Sequence, residues 1–562
     1  MSMMLSFWRH ILVLVFLALM LGLIGVRAVK LQVLDREFLQ NQGIARMERV
    51  DQVVASRGMI LDRAGQPLAV SVPLFTLWMD PRIVDVSRLS ELSRALDIPH
   101  SRLQNRIQPG RAFAYIKRHM VPEDAERILA LNIDGVFSQT EYKRYYPAGE
   151  VTAQFIGMTN VDDEGQEGLE LSFNELLSGS NGKKRVLKDL YSQTIRDVES
   201  ILPVSPGGEL SLTIDLELQY LAYRELKAAV AEHQAKAGSL IMMDVTTGEV
   251  LAMVNQPSFN PNNRSDLTYA QARNRSVTDA FEPGSVVKTL TIAAALDSGK
   301  YQPDTNIKTS PGYQRYNGHT IRDSYDYGTL SLTKVLSKSS NVGASRVAIE
   351  VGAQNVWQTF YQLGLGQPTG IGLPGESAGS LPNHVKWKDI ETATFSYGYG
   401  LAVTPLQLVT AYSSIANAGK KPTPRLIKGQ SIASAIQAIS PQTADQLAAM
   451  LEDVVLTGTG RSAQSRLYRI GGKTGTAHKI DSQGYSDNSY VATFAGFAPV
   501  SNPKLAMIIT IDEPSGEKYY GGEVAAPAFG RIMEAALQQL NVVPDQVINE
   551  QLVFNPVLQE SL

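Results

Sequence analysis

The run Thr289-Leu-Thr-Ile-Ala-Ala-Ala-Leu296 carries apolar or small side chains at every position of a helix. Such a helix has no polar stripe to turn toward water, so a domain core must bury it on nearly all sides. Ser285 and Lys288 stand at its head, in Glu282-Pro-Gly-Ser-Val-Val-Lys288. Residues three apart share a helix face. Pro283 and Gly284 place Ser285 at the helix N-terminus, where backbone donors and the dipole favour developing negative charge. Gly299 suits the stop. A lysine buried with little compensation is pushed toward its neutral amine, which can take a proton from the serine. Ser285 therefore reads as a nucleophile for acyl transfer. The plainer alternative is a capping serine beside a snorkelling lysine.

Spacing alone does not decide between them, because Ser-x-x-Lys occurs five times, at Ser180, Ser285, Ser331, Ser501 and Ser515. Ser180-Asn-Gly-Lys and Ser501-Asn-Pro-Lys read as turns, and Ser515-Gly-Glu-Lys as a polar loop. Ser331-Leu-Thr-Lys334 is the serious rival, since it can open a helix. Its surroundings are polar, so Lys334 is expected to stay solvated and charged. Only the Ser285 copy leads into a wholly apolar helix.

The chain has 562 residues, a net charge of -3 and no cysteine. The length allows roughly three domains. The charge speaks against a polyanion or nucleic-acid binder. The lack of thiols excludes disulfides, thiolate metal sites and cysteine nucleophiles, and suits an exported protein. Ile11–Val26 is an unbroken apolar run. Sixteen residues rise about 24 Å, short of the roughly 30 Å hydrocarbon core. Phe7, Trp8, Ala28 and Val29 can extend it, while Arg9, Arg27 and Lys30 snorkel outward. Val26-Arg27-Ala28 would pass as a leader cleavage site, but the apolar stretch continues beyond it, which favours a retained anchor. No second span follows, so the expectation is a single-pass protein with its bulk outside the cytoplasm.

From Leu31 to Leu202 short strands and turns alternate, with one helical stretch near Pro122 to Leu131. Arg57 to Ala69 reads as strand, glycine turn, strand. Pro203 to Gly208 is turn-forming and marks a linker. A helix near Leu216 to His233 then precedes a hairpin, Gly238 to Val245 paired with Glu249 to Asn255. Tyr490 to Pro499 and Lys504 to Asp512 are strand-like again. Strands at both ends with helices between predict an α+β domain, one antiparallel sheet covered by helices.

Two further motifs follow Ser285 in order: Ser339-Ser-Asn341 and Lys473-Thr-Gly-Thr476, the latter preceded by Gly471 and Gly472. Ser-x-Asn also recurs at Ser172, Ser258 and Ser486, so order carries the signal. With all three motifs in sequence the chain resembles the serine penicillin-recognising transpeptidases. The resemblance implies these roles. Ser285 attacks a peptide carbonyl and Lys288 accepts its proton. Ser339 relays that proton to the leaving amine, and Asn341 holds Lys288 and the substrate amide. Lys473 adds positive charge beside Lys288 and attracts a substrate carboxylate, which Thr474 and Thr476 bind. Gly471 and Gly472 let the substrate backbone approach closely, and Gly475 joins Thr474 and Thr476 as a substrate-binding residue. The amides of Ser285 and Thr476 form the oxyanion hole. His319 and His478 do not make a Ser-His-Asp triad, since the lysine already supplies the base. No metal or cofactor is implied.

Arg57-Gly-Met-Ile-Leu-Asp-Arg-Ala-Gly65, Arg144-Tyr-Tyr-Pro-Ala-Gly149 and Gly165-Gln-Glu-Gly-Leu-Glu170 look like the pedestal of class B penicillin-binding proteins. Ser396-Tyr-Gly-Tyr-Gly-Leu-Ala-Val-Thr-Pro-Leu-Gln407 and Tyr520-Gly-Gly-Glu-Val-Ala-Ala-Pro-Ala-Phe529 look like their transpeptidase domain. The length and the single anchor are most similar to the division-specific FtsI type. The resemblance implies a five-stranded antiparallel sheet covered by helices, after a transmembrane helix and a β-rich pedestal of the dimerisation type. The corresponding division is 1–10 cytoplasmic tail, 11–29 anchor, 30–208 pedestal, 209–541 transpeptidase domain and 542–562 C-terminal tail. It further implies D,D-transpeptidation of peptidoglycan stem peptides in septal wall synthesis, and acylation by β-lactams. Residence in a bacterial inner membrane is implied too, with a membrane glycosyltransferase and other division proteins as partners. A β-lactamase or carboxypeptidase on the same scaffold, a β-lactam sensor and a non-catalytic division scaffold are the alternatives.

Overall fold

A computed structural model describes residues 2–188, 194–430, 434–481 and 484–546. Most of the expected C-terminal tail, 547–562, lies outside them. The chain forms two compact units. One is drawn from Met1–Arg57, Val72–Lys143 and Ser178–Gly207, the other from Gly58–Ser71, Arg144–Leu177 and Gly208–Leu562.

In the first unit, the apolar run is part of a helix over Ser2–Val29 that continues as a wider turn through Lys30–Leu34. The stretch Phe7–Leu34 is long and apolar enough to cross a membrane, and none of it is buried. Glu48–Val53, Gly182–Lys188 and Thr194–Leu202 form a three-stranded antiparallel sheet. A separate small core gathers Leu77, Met79, Leu89, Leu92, Leu96, Ile116 and Ile128. The expected helix near Pro122 runs over Pro122–Leu129. It is not alone, as the sequence reading had it: helices also span Arg36–Met47 and Leu89–Leu96. Leu89, Leu92 and Leu96 recur at helical spacing and all three are buried, a signal too short to stand out among the neighbouring polar residues.

The second unit is built on five strands: β1 (Ala237–Asp244), β2 (Val250–Gln256), β3 (Gly471–Asp481), β4 (Gly484–Ala498) and β5 (Leu505–Asp512). Their order is β2-β1-β5-β4-β3, antiparallel throughout. The expected hairpin is β1–β2, with Gly238 opposite Gln256. Alternate residues of β1 enter different cores. Leu240 and Met242 join α1 (Leu216–Glu232) and α7 (Ala526–Gln539) on one face. Ile241 and Met243 join the helices of the other face. That second layer holds α2 (Lys288–Asp297), α5 (Pro405–Ala416) and α6 (Pro441–Thr457).

Every residue of α2 from Lys288 to Leu296 is buried. Each of Leu290, Ile292 and Leu296 contributes about 1.5–3 kcal/mol by leaving water. The same enclosure removes solvent from the one charged side chain among them. The edge strand β3 places Lys473 opposite Ala495 of β4, and an edge strand keeps one row of backbone groups outside the ladder.

Candidate active site

Ser285 lies in a single 3₁₀ turn, Gly284–Val287, that runs straight into α2. In such a turn positions i and i+3 nearly eclipse. Three backbones converge on it. The Gly284 amide donates to Gly398 O at 3.2 Å. A Cβ on Gly398 would lie 2.2 Å from Gly284 O. One on Gly475 would lie 2.4 Å from Val286 Cγ2 and 2.9 Å from Pro283 O. Glycine at these two positions is what lets β3 and the 396–400 loop close on the serine turn.

Lys288 begins α2 and is 1% exposed. Its Nζ donates to Ser339 O at 2.5 Å and Asn341 Oδ1 at 2.6 Å, and lies 3.2 Å from Ser339 Oγ. Ser339 occupies the sharp connection between α3 (Leu332–Ser337) and α4 (Asn341–Val351), with φ +58°. Left-handed backbone at a serine costs energy that the surrounding contacts must offset. Ser340 caps α4, accepting from Gly343 N at 2.8 Å. Asn341 Nδ2 donates to Arg322 O at 3.1 Å, which turns its Oδ1 toward the lysine.

Lys473 is fully buried. Its Nζ reaches Ser339 Oγ at 3.1 Å and Thr474 O at 3.0 Å. Thr474 Oγ1 pairs with Thr459 Oγ1 at 2.7 Å, and Thr476 Oγ1 accepts from Gly521 N at 3.0 Å. Ser285, Lys288, Ser339, Asn341 and Lys473 thus come from four separate elements: the serine turn with its helix, the α3–α4 connection, the start of α4, and β3.

Burial lowers the Lys288 amine to about 7, against an opposing pull from the Asp323 carboxylate. Burial lowers Lys473 far below the ordinary lysine range, and the neighbouring Lys288 charge adds to that. The expected positive charge on Lys473 is therefore itself disfavoured. Two ammonium groups on one hydroxyl would repel in a medium that screens little. One proton between them lets Ser339 accept from one amine and donate to the other. A neutral Lys288 has two N–H bonds, enough for Ser339 O and Asn341 Oδ1, and a free lone pair.

The expected Lys288–Ser285 hydrogen bond is not formed among the described residues. Ser285 is partly exposed, and the lysine is held by the Ser-x-Asn element instead. The rival Lys334 is 40% exposed and paired with Asp453 at 2.9 Å, as a solvated lysine should be. Ser331 caps α3. His319 is exposed in a small hairpin. His478 Nδ1 lies 2.8 Å from Ser486 O, with its ring against Tyr490.

The sequence pattern of the penicillin binding protein transpeptidase domain matches residues 238–534, and that of the penicillin-binding protein dimerisation domain matches residues 52–212. This chain belongs to the penicillin-binding transpeptidases. It is 43% identical over 548 residues to the peptidoglycan D,D-transpeptidase FtsI of Escherichia coli (strain K12), covering 96% of this chain and 93% of that protein. It is 40% identical over 546 residues to the probable peptidoglycan D,D-transpeptidase PbpC of Pseudomonas aeruginosa, covering 96% of each. A structure of penicillin-binding protein 3 from Mycobacterium tuberculosis complexed with aztreonam superposes with a TM-score of 0.68 at 28% identity, over 88% of this chain and 98% of that one.

One residue of this penicillin-binding transpeptidase escaped the sequence reading. Asp323 accepts from Ser340 Oγ at 2.5 Å, Asn341 N at 2.6 Å and Val342 N at 3.0 Å. It follows a strand, His319–Arg322, in a polar hairpin region with no periodicity to single it out. Only the fold brings it to the start of α4.

Proposed function

We propose that this protein cross-links peptidoglycan stem peptides by D,D-transpeptidation through an acyl-enzyme at Ser285, in septal wall synthesis. The observation that carries the reading is the buried Lys288 amine, lowered to about 7 and held by Ser339 and Asn341 beside Lys473. Ser285 Oγ attacks the carbonyl of the D-Ala-D-Ala bond while its proton passes to Lys288 Nζ. The tetrahedral intermediate collapses when that proton, relayed through the Ser339 hydroxyl, reaches the leaving D-alanine amine. An acceptor amine then attacks the ester carbon and gives its proton to Lys288, which passes it to Ser285 Oγ as the ester C–O bond breaks, so that the serine hydroxyl and the neutral amine are both restored. Thr474, Gly475 and Thr476 line the donor strand, with the threonine hydroxyls on the substrate carboxylate. The Ser285 and Thr476 amides stabilise the oxyanion, an effect typically worth about 3 kcal/mol per donor.

The division into anchor, pedestal over 30–208 and catalytic domain over 209–541 belongs to the same reading. So do a periplasmic placement of the bulk of the chain, and a membrane glycosyltransferase and other division proteins as partners. The N-terminal apolar helix supports the anchor. Fluorescent penicillin labelling of the wild type and Ser285→Ala tests the acyl-enzyme. Labelling is expected in the first alone, and an unlabelled wild type would refute it. An adduct that lasts for hours marks a transpeptidase, whereas turnover in seconds would mark a lactamase.

A further inference from the structure

We propose that Asp323 is a positioning residue for acyl transfer, acting through the Ser-x-Asn turn on the amine of Lys288. The inference rests on the reading of Lys288 as the base. Asp323 Oδ1 takes the amide protons of Asn341 and Val342, and Oδ2 takes the Ser340 hydroxyl proton. The three residues so clamped open α4, where the helix N-terminus favours a carboxylate. The clamp fixes where Ser339 O and Asn341 Oδ1 point, and those two atoms are the acceptors of Lys288.

Two influences oppose each other at that amine. Burial favours the neutral form. Asp323 is the negative charge on the other side and favours the ammonium. Several other charged groups on the helices around α2 are engaged elsewhere, Glu452 with Arg469 among them. Lys334 and Asp453 pair with each other. Arg346 donates to Lys308 O and Gln314 Oε1, and Glu350 bonds the Tyr301 hydroxyl. Asp297, at the far end of α2, accepts from Thr443. Asp323 thus stands as the counterweight that keeps Lys288 protonatable near neutrality, able both to accept the serine proton and to pass it on.

Asp323→Asn separates charge from clamp. The amide oxygen keeps both backbone bonds, and the amide nitrogen can donate to Ser340 Oγ. The measurement is the pH profile of benzylpenicillin acylation for wild type, Asp323→Asn and Asp323→Ala, with thermal melting to verify folding. The wild type is expected to lose rate as pH falls through about 7. In Asp323→Asn this acid limb is expected to move to lower pH by roughly one unit, the lower end of what one nearby opposite charge imposes. Asp323→Ala is expected to lose rate at every pH as well, and Asp323→Glu to restore part of it. An Asp323→Asn limb in the wild-type position overturns the proposal, as does a pH-independent loss in a folded Asp323→Asn. A wild type with no acid limb overturns the base reading itself, and this one with it. Should Asp323→Asn fail to fold, the same limb comparison in Asp323→Glu decides: a limb unmoved from the wild type supports a retained charge, and one displaced downward overturns it.

Discussion

Lys288 and Lys473 share one oxygen: Ser339 Oγ lies 3.2 Å from the first amine and 3.1 Å from the second. A hydroxyl between two amines can accept from one and donate to the other. It cannot serve two ammonium groups equally. The arrangement makes Ser339 the bridge through which a proton leaves Lys288.

Ser339→Ala should therefore acylate more slowly by about 10²–10⁴-fold, the usual size of a lost proton-transfer partner, while the fold is kept. Stopped-flow acylation with benzylpenicillin and a melting curve check the two halves of this statement.

The Lys288 depression is also a stability statement. Its folded value, about 7, lies below the unfolded 10.5. Between those values the unfolded chain binds the extra proton, so stability from this group rises with pH across that window, by roughly 1.4 kcal/mol per unit. Below about 7 both states are protonated and the cost is constant. Lys288→Met should lose this share of the rise, seen in urea titrations between pH 7 and 10, and should not acylate.

Gly475→Ala places a methyl 2.4 Å from Val286 Cγ2 and 2.9 Å from Pro283 O. Either β3 or the serine turn has to shift. A displacement on the order of 1 Å costs about 10²-fold in rate. The acylation rate should fall accordingly, and a rate within twofold of wild type would show that the site absorbs the methyl.

Lys334→Ala tests the choice among the Ser-x-x-Lys copies. The Lys334–Asp453 pair is partly exposed, so its loss should cost about 0–1 kcal/mol and leave penicillin acylation unchanged. Loss of acylation there, with Lys288 variants still labelled, would reverse the assignment.

Arg144 and Glu170 meet at 2.7 Å with both side chains essentially buried. Arg144→Ala leaves a carboxylate in the core and should destabilise the second unit by about 3–5 kcal/mol, measured by chemical unfolding, with acylation retained by the fraction that folds.

Much of this could be read from residues alone. The β1–β2 hairpin follows from two short, mostly apolar runs joined by a polar turn, and the burial of α2 from the absence of any polar face. The order of the three motifs singled out Ser285, Lys288, Ser339, Asn341 and Lys473. The helix Leu89–Leu96 was hidden because its three leucines span barely two turns. Asp323 was hidden for a different reason. Its partners Ser340, Asn341 and Val342 are remote from it in sequence, and an isolated acid in a polar hairpin has no pattern of its own.

Local order thus determined which residue types carry the chemistry and that their helix must be enclosed, because periodicity and backbone preference act over a few neighbours. The tertiary structure alone decided what holds the amine. Lys288 faces the Ser-x-Asn turn, Lys473 shares its hydroxyl, and Asp323 steadies that turn. Charge and hydrogen bonding act through space, and only folding sets those distances.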